Sequence, residues 1–229
     1  MNLLSDYKED VSKVKTKPGG YEWWYFDATD DNEVYQFVII FYRGNPFSPR
    51  YHRKLAGEKP AREARPQQYP AISIAIYKEY QPIYYSFTEF EEEDCRFGDS
   101  PLQVQVGEHR LRGEVRDGQL CYTLNLKERL PCGDRMVAII EYRSPLPSQA
   151  AFDFSEGDAS AGHIWNLVQP RAEVRGSIRL FTLANPPEAI HFSGTGYHDH
   201  NTGEEPMSDE FREWYWGRFH FDSATLVYY

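Results

Sequence analysis

Basic residues are in deficit: 25 lysines and arginines stand against 35 aspartates and glutamates over 229 residues, a formal net charge of -10. That sign repels a phosphate backbone, so nucleic acid is excluded as a partner. Cysteine is scarce. Cys95, Cys121 and Cys132 are an odd number with no CxxC pair, which argues against a disulfide framework or a cysteine zinc knuckle and fits a reducing compartment. No apolar run approaches the length of a membrane-spanning helix, and the longest, Phe37–Tyr42, falls far short. The first ten residues lack the apolar core of a secretion signal, so the expected location is the cytoplasm. Amphipathic helices longer than about two turns and short-period repeats are also missing.

Aromatics are plentiful at 16%, with 17 Tyr, 14 Phe and 5 Trp. Such residues suit pleated, half-buried surfaces. A chain of this size buries roughly 70% of its unfolded surface and needs no staples. Strand signals follow one another at Tyr21–Phe26, Val34–Tyr42, Ala71–Tyr77, Ile83–Phe90, Met136–Tyr142, Arg171–Leu183, Ala189–Tyr197, Trp214–Phe221 and Ala224–Tyr229. The clearest hairpin joins Leu111–Val115 to Gln119–Leu126 through Asp117-Gly118, a dipeptide that favours a primed turn. The reading is all-β: one antiparallel barrel domain over 1–229, built around an aromatic-lined pocket. Residues 44–70 form a long Pro-rich loop with a basic middle (Arg50, Arg53, Lys54, Lys59, Arg62, Arg65), either a lid or a disordered segment. The acidic patch Glu89–Asp94 reads as a solvated turn.

Two short segments concentrate functional side chains, Gly162-His163-Ile164-Trp165-Asn166 and Gly194-Thr195-Gly196-Tyr197-His198-Asp199-His200-Asn201. Alternation puts His163 with Trp165 on one face, and Tyr197, Asp199 and Asn201 together on another, with His198 and His200 opposed. Each has a bland reading. His163 could be a satisfied core histidine, Trp165 core filling, and Asp199 an Asx-turn residue before Asn201-Thr202-Gly203. His198-x-His200 has the spacing of two metal ligands, with His191 or His220 as a distant third. No metal and no cofactor is expected.

These blocks, with Gly20-Tyr21-Glu22-Trp23-Trp24-Tyr25-Phe26-Asp27, Gly44-Asn45-Pro46-Phe47-Ser48-Pro49 and Trp214-Tyr215-Trp216-Gly217-Arg218, resemble the carotenoid 1,2-hydratases (hydroxyneurosporene synthases) and their lipocalin-like relatives. They are spread over nearly the whole chain in the family's order. The resemblance implies two lipocalin-like β domains in tandem, this chain covering mainly the first, in keeping with a strand at its last residues. It implies Asp199 as the acid, with His163, Trp165 and Tyr197 lining the pocket. Trp23, Trp24, Tyr25, Asn201 and Trp216 are the expected substrate contacts. The family is chemically diverse and includes pericyclases. Thr202 departs from it, since many relatives carry a bulky aromatic there.

The expected chemistry is acid-catalysed hydration or isomerisation of a hydrophobic isoprenoid or polyene. An isolated alkene is a feeble base, so the donor must be strong and held protonated near neutral pH, as a desolvated Asp199 would be. Aromatic faces would stabilise the cation, and His163 or the Asp199 carboxylate would take a proton from water. The alternatives are a non-catalytic lipophile carrier of lipocalin type and a pericyclase- or cyclase-like enzyme. A transient contact with a membrane surface, to collect substrate, follows from a lipophilic ligand. Two geometric expectations result: Trp23 and Trp24 point to opposite sides of their strand, and Asp199 is buried with a raised pKa. If Asp199 instead caps a turn, backbone N–H donors will lower that pKa.

Overall fold

The structure, a computed structural model, describes residues 2–13, 16–57, 64–99, 102–146 and 162–228. Its strands are β1 (Asn2–Leu4), β2 (Tyr21–Asp30), β3 (Tyr35–Arg43), β4 (Ala71–Lys78), β5 (Gln81–Glu89), β6 (Cys95–Asp99), β7 (Leu102–Val106), β8 (His109–Arg116), β9 (Gln119–Arg129), β10 (Arg135–Pro145), β11 (Ile164–Phe181), β12 (Glu188–Gly203), β13 (Gly217–His220) and β14 (Thr225–Tyr228). Two short helices, α1 (Pro49–Leu55) and α2 (Met207–Glu210), interrupt them. The all-β, lipocalin-like reading holds. One antiparallel sheet runs β5-β4-β3-β2-β12-β11-β10-β9-β8-β7-β6, with β1 added parallel to β11, and β13–β14 forms a separate hairpin.

The sheet is two meanders, β2 to β5 and β6 to β12, welded where β12 pairs with β2. It curls rather than lying flat, because strands far apart in its order touch through its inner face. Trp24 on β2 stacks on Phe97 of β6 with centroids 6.0 Å apart, and Phe26 meets Tyr122 of β9 at 5.8 Å. At the open seam, Tyr84, Ser86 and Thr88 of β5 all donate hydroxyl hydrogen bonds to the Glu128 carboxylate on β9. Among the described residues no ladder joins β5 to β6, so the barrel is part-closed.

Alternation fills the interior. Trp24, Phe26, Phe37, Ile39, Phe41, Ile72, Ile74, Leu124, Ile140 and Tyr142 are buried in a single apolar cluster drawn from both meanders. Each fully buried side chain of this size contributes about 1.5–3 kcal/mol. The interior is therefore packed core, and this corrects the expectation of a pocket inside the barrel. The Asp117-Gly118 turn forms as read, with φ of 53° and 73° at its two residues, the positive pair that a type I′ turn requires.

β11 begins at Ile164 rather than Arg171, so it takes in Ile164, Trp165 and Asn166, with His163 just ahead of it. Its pairing with β12 slips between Leu167 and Gln169 and again before Ala172. Pro170, which has no N–H to give a ladder, sits inside the second slip. β6 and β7 carry no clear strand signal in the sequence, being five residues each and close to Pro101. In the long loop, Ser48 caps α1 by accepting from the Tyr51 N–H, and Pro49 opens the helix. The acidic patch makes an exposed 3₁₀ turn whose Glu91 and Glu92 pair with Arg50 and Arg65. Lys59 and Arg62 lie outside the described residues.

Gly196 shows how tightly the weld is made. A Cβ there would sit 2.6 Å from the Asp27 carbonyl oxygen, the Tyr142 ring and Val174. We expect Gly196→Ala to cost about 1–3 kcal/mol by overpacking, read as a lower urea midpoint with an unchanged slope. A wild-type midpoint would show that Tyr142 yields without cost.

Candidate active site

β12 changes character along its length. From Glu188 to Thr195 burial alternates, but from Gly196 to Gly203 every residue is buried. Both faces are covered there. The inner face belongs to the barrel, and chain segment 207–218 lies against the outer one. The strand therefore carries two sets of polar residues into two separate places.

On the outer face, register sets Tyr197 opposite Asp27, Asp199 opposite Tyr25, and Asn201 opposite Trp23 on β2. Trp165 of β11 lies opposite Asn201 on the other side. The Asp199 carboxylate is the hub. Its Oδ2 accepts from Trp165 Nε1 and from the Tyr197 hydroxyl, both at 2.7 Å, and its Oδ1 accepts from Asn201 Nδ2 at 2.8 Å. Asn201 is oriented in turn by His163, whose Nε2 is 3.0 Å from Asn201 Oδ1, and Tyr21 Oη is 2.8 Å from His163 Nδ1. One proton assignment satisfies this chain. The Tyr21 hydroxyl donates to a neutral imidazole, which donates to the amide oxygen, leaving the amide N–H₂ to face Asp199.

Burial pushes the Asp199 pKa up to about 6, against the Tyr197 and Trp165 hydrogen bonds, which favour the ionised form. Burial pulls the His163 pKa down to about 4, with the Asn201 contact opposing, so the ring is neutral at pH 7. Both lone pairs of Oδ2 are taken by donors, and Trp165 can only donate. The acidic proton then belongs on Oδ1, beside the Asn201 contact.

Asp199 and Asn201 form part of the wall of a cavity of about 180 Å³, otherwise lined by Trp23, Tyr25, Ile40, Tyr42, Phe47, Trp165, Met207, Trp214 and Trp216. Next to it Arg218 makes a bidentate bridge to Asp27, at 2.6 and 2.9 Å, and lies over the Tyr197 ring. Tyr25 donates to Asp27 Oδ2 at 3.1 Å, and its ring meets Tyr197 and Trp216 edge-on.

Of the residues read from sequence, Asp199, Trp165, Tyr25, Trp23, Asn201 and Trp216 meet at this cavity. His163 and Tyr197 come to the cluster but stand behind Asn201 and Asp199, so neither lines the cavity. His163 is therefore out of reach of a water held there. Trp24 is a clear correction. Trp23 and Trp24 do point to opposite sides of β2, but Trp24 enters the core, fully buried between His200 (4.8 Å) and Phe97. It is no ligand contact, because the pocket lies on the other face of its strand.

The missed residues are Tyr21, Asp27, Tyr42, Phe47, Met207, Trp214 and Arg218. Tyr21, Trp23, Tyr25 and Asp27 share one face by simple alternation, a signal present in the sequence. Arg218 stands in one of the blocks that carry the resemblance, but nothing in that block points to Asp27, because only the return of the chain after β12 brings the two together.

The inner face of β12 holds a second polar cluster. Asp10 accepts from Tyr122 and contacts His198 Nε2 at 3.1 Å and His200 Nδ1 at 3.2 Å, and Glu22 contacts His200 Nε2 at 3.0 Å. The spacing that suggested metal ligands is thus occupied by carboxylate pairing, with His191 exposed and His220 bonded to Thr225. Among the described residues no group of three His, Cys, Asp or Glu is arranged to hold a metal ion, and no helix is long and apolar enough to cross a membrane.

The fold and site together describe a lipocalin-like protein with a buried acid set in an aromatic cavity. The chain belongs to the carotenoid hydratase CrtC family, whose model matches residues 38–229. It is 31% identical, over its whole length, to a hydroxyneurosporene dehydrogenase of Chlorobaculum tepidum, covering 61% of that protein. An acyclic carotenoid 1,2-hydratase of Thiocapsa roseopersicina is 29% identical over 94% of this chain and 48% of its own. The chain thus spans about half to three-fifths of these relatives. Among solved structures, CghA with Sch210972 superposes with a TM-score of 0.53 over 86% of this chain and 52% of its own, at 11% identity, a likeness of fold alone.

Proposed function

We propose that this protein is an acid catalyst that adds water to, or isomerises, a terminal double bond of an acyclic isoprenoid or polyene. The observation that carries the reading is Asp199: a buried carboxyl in the wall of an aromatic cavity, shifted to hold its proton to about pH 6, with Oδ2 taken by two donors and Oδ1 by one. Proton transfer from Oδ1 to the less substituted alkene carbon leaves a tertiary cation. The faces of Trp165, Trp23 and Trp216 offer it cation–π attraction, about 2 kcal/mol or more each when desolvated. The cavity volume suits a chain end, since about 150 Å³ takes a benzene-sized ring. Membership of the carotenoid hydratase family supports the substrate class.

Phe47 and Trp214, at the cavity and about half exposed, would let its mouth rest on an apolar surface while substrate is collected. The test is incubation of the full chain with detergent-dispersed lycopene in water enriched in heavy oxygen. A tertiary alcohol carrying the label is expected. Tight binding with no alcohol and no shifted double bond would leave the carrier reading in its place.

A second expectation concerns the cavity wall. Trp216→Leu keeps apolar bulk but removes a π face that packs against Tyr25 and Tyr197. Turnover should fall about tenfold or more with lycopene affinity changed much less, as kcat against KM would report. A loss confined to KM would mean that Trp216 only shapes the pocket.

A further inference from the structure

We propose that Tyr25, oriented by the Asp27–Arg218 ion pair, is the group that takes the proton from the attacking water. The inference rests on the hydratase reading above and gives it the base that His163, behind Asn201, cannot supply. Tyr25 and Asp199 are direct cross-strand partners in the β2–β12 ladder, which places their Cβ atoms about 4.5–5.5 Å apart on one face. Both line the cavity. A water between them would have the acid on one side and the phenol on the other.

The phenol is set to accept. Its hydrogen is committed to Asp27 Oδ2 at 3.1 Å, so its oxygen lone pairs are the part left for a further partner. Asp27 is fixed by the two Arg218 contacts at 2.6 and 2.9 Å, on a side chain only 13% exposed. A bidentate guanidinium of this kind defines where the carboxylate oxygens lie. Burial raises the Asp27 pKa in spite of Arg218, so the carboxylate retains some appetite for a proton. Tyr25 itself is held far above the ordinary phenol range, first by burial and then by Asp27. It therefore works as a conduit and is never released as a free phenolate.

The step balances. Asp199 Oδ1 gives its proton to the alkene, whose π electrons form the new C–H bond and leave a tertiary cation. A lone pair of water forms the C–O bond. One water proton passes to Tyr25 Oη, its O–H electrons staying on the product oxygen, as the Tyr25 proton moves to Asp27. A proton returns from Asp27 through Tyr25 and water to Asp199, and the net change is alkene plus water to alcohol. Without the acceptor, the cation's quickest fate is to return its proton to the Asp199 carboxylate.

The test measures two quantities in heavy water with the full chain and lycopene: alcohol formed, and deuterium gained by the recovered alkene. Tyr25→Phe should lower alcohol formation at least ~10²-fold, within the range for a general base, while deuterium exchange stays within about threefold of wild type. Asp27→Asn, which can accept a hydrogen bond but cannot take up the proton, should shift the ratio the same way and serves if Tyr25→Phe folds poorly. Alcohol formation near the wild-type rate in both variants would overturn the proposal. So would an equal loss of alcohol and exchange, the mark of a damaged cavity. If the wild-type protein yields neither alcohol nor exchange, the hydratase reading fails first and takes this one with it.

Discussion

Asp199→Asn is expected to lower turnover by about 10³-fold while the protein still binds lycopene. General acids contribute typically 10²–10⁴-fold, and an isolated alkene offers no easier route to protonation. The substitution keeps the size of the side chain and removes the transferable proton. The pH profile follows from the same group. The acid must be protonated to act, and its pKa stands at about 6. Turnover should therefore fall close to tenfold per unit above about pH 7, while a fall on the acid side belongs to Asp27, whose carboxylate has to be ionised to accept a proton. A carboxyl at its ordinary value of 3.8 would place the alkaline-side fall two units lower. Carboxyl-carbon NMR of Asp199 gives the midpoint directly. A value below about 4, or Asp199→Asn with wild-type turnover, would remove Asp199 from the reaction.

Asp10→Ala should be the most damaging single change to stability outside the apolar core. It strips the acceptor from Tyr122 and the carboxylate partner from His198, and leaves His200 with Glu22 alone. Breaking a buried pair typically costs about 3–5 kcal/mol, because the remaining group stays buried without its counter-charge. The pH response has a definite sign. Burial opposes charge on His200, but Asp10 and Glu22 overcome it and raise the ring from 6.5 to about 9. The folded state thus holds this proton more tightly than the unfolded chain does, so the contribution is complete below about pH 6.5 and lost as pH rises through 9. Asp10 behaves in the opposite sense. Burial alone would raise its pKa, yet His198 and His200 together drive it far down, and its contribution is lost as pH falls below its ordinary 3.8. Urea midpoints should therefore be highest between about pH 4 and 6.5. In Asp10→Ala the midpoint should drop at pH 6, and its decline toward pH 9.5 should be shallower. An unchanged midpoint at pH 6 would mean that the cluster is solvated in solution.

Much of this arrangement is legible in the sequence, because strands encode facing by parity. Once Tyr197, Asp199 and Asn201 are placed on a strand, their shared face follows, and so does the opposition of His198 and His200. Trp23 and Trp24 part for the same reason. Parity does not say which face is the inside of the curl. That depends on which strands meet across the barrel, as Trp24 meets Phe97, and such contacts have no local signature. The same gap put the pocket in the interior and Trp24 in the pocket. His163 lies one layer behind the cavity wall, since alternation gives direction but not depth. The slips around Pro170, which adjust β11 where it passes Asp199, went unread because a ladder defect belongs to a pair of strands. Arg218 lies beyond any local pattern, returning from a hairpin 191 residues past Asp27.

The doubly buried half of β12 has a consequence for how this chain can change. Substitution and length change are very unequal events there. A conservative replacement at an odd position alters the cluster at the cavity, and one at an even position alters the interior clamp, each largely sparing the other. Adding one residue between Tyr197 and His198 would turn every residue from His198 to Asn201 to the opposite face. Histidines would face the aromatic cavity, and Asp199 would enter a core already holding Asp10 and Glu22. Activity and folding would be lost in one event, so variation in this stretch has to proceed by replacement at constant length.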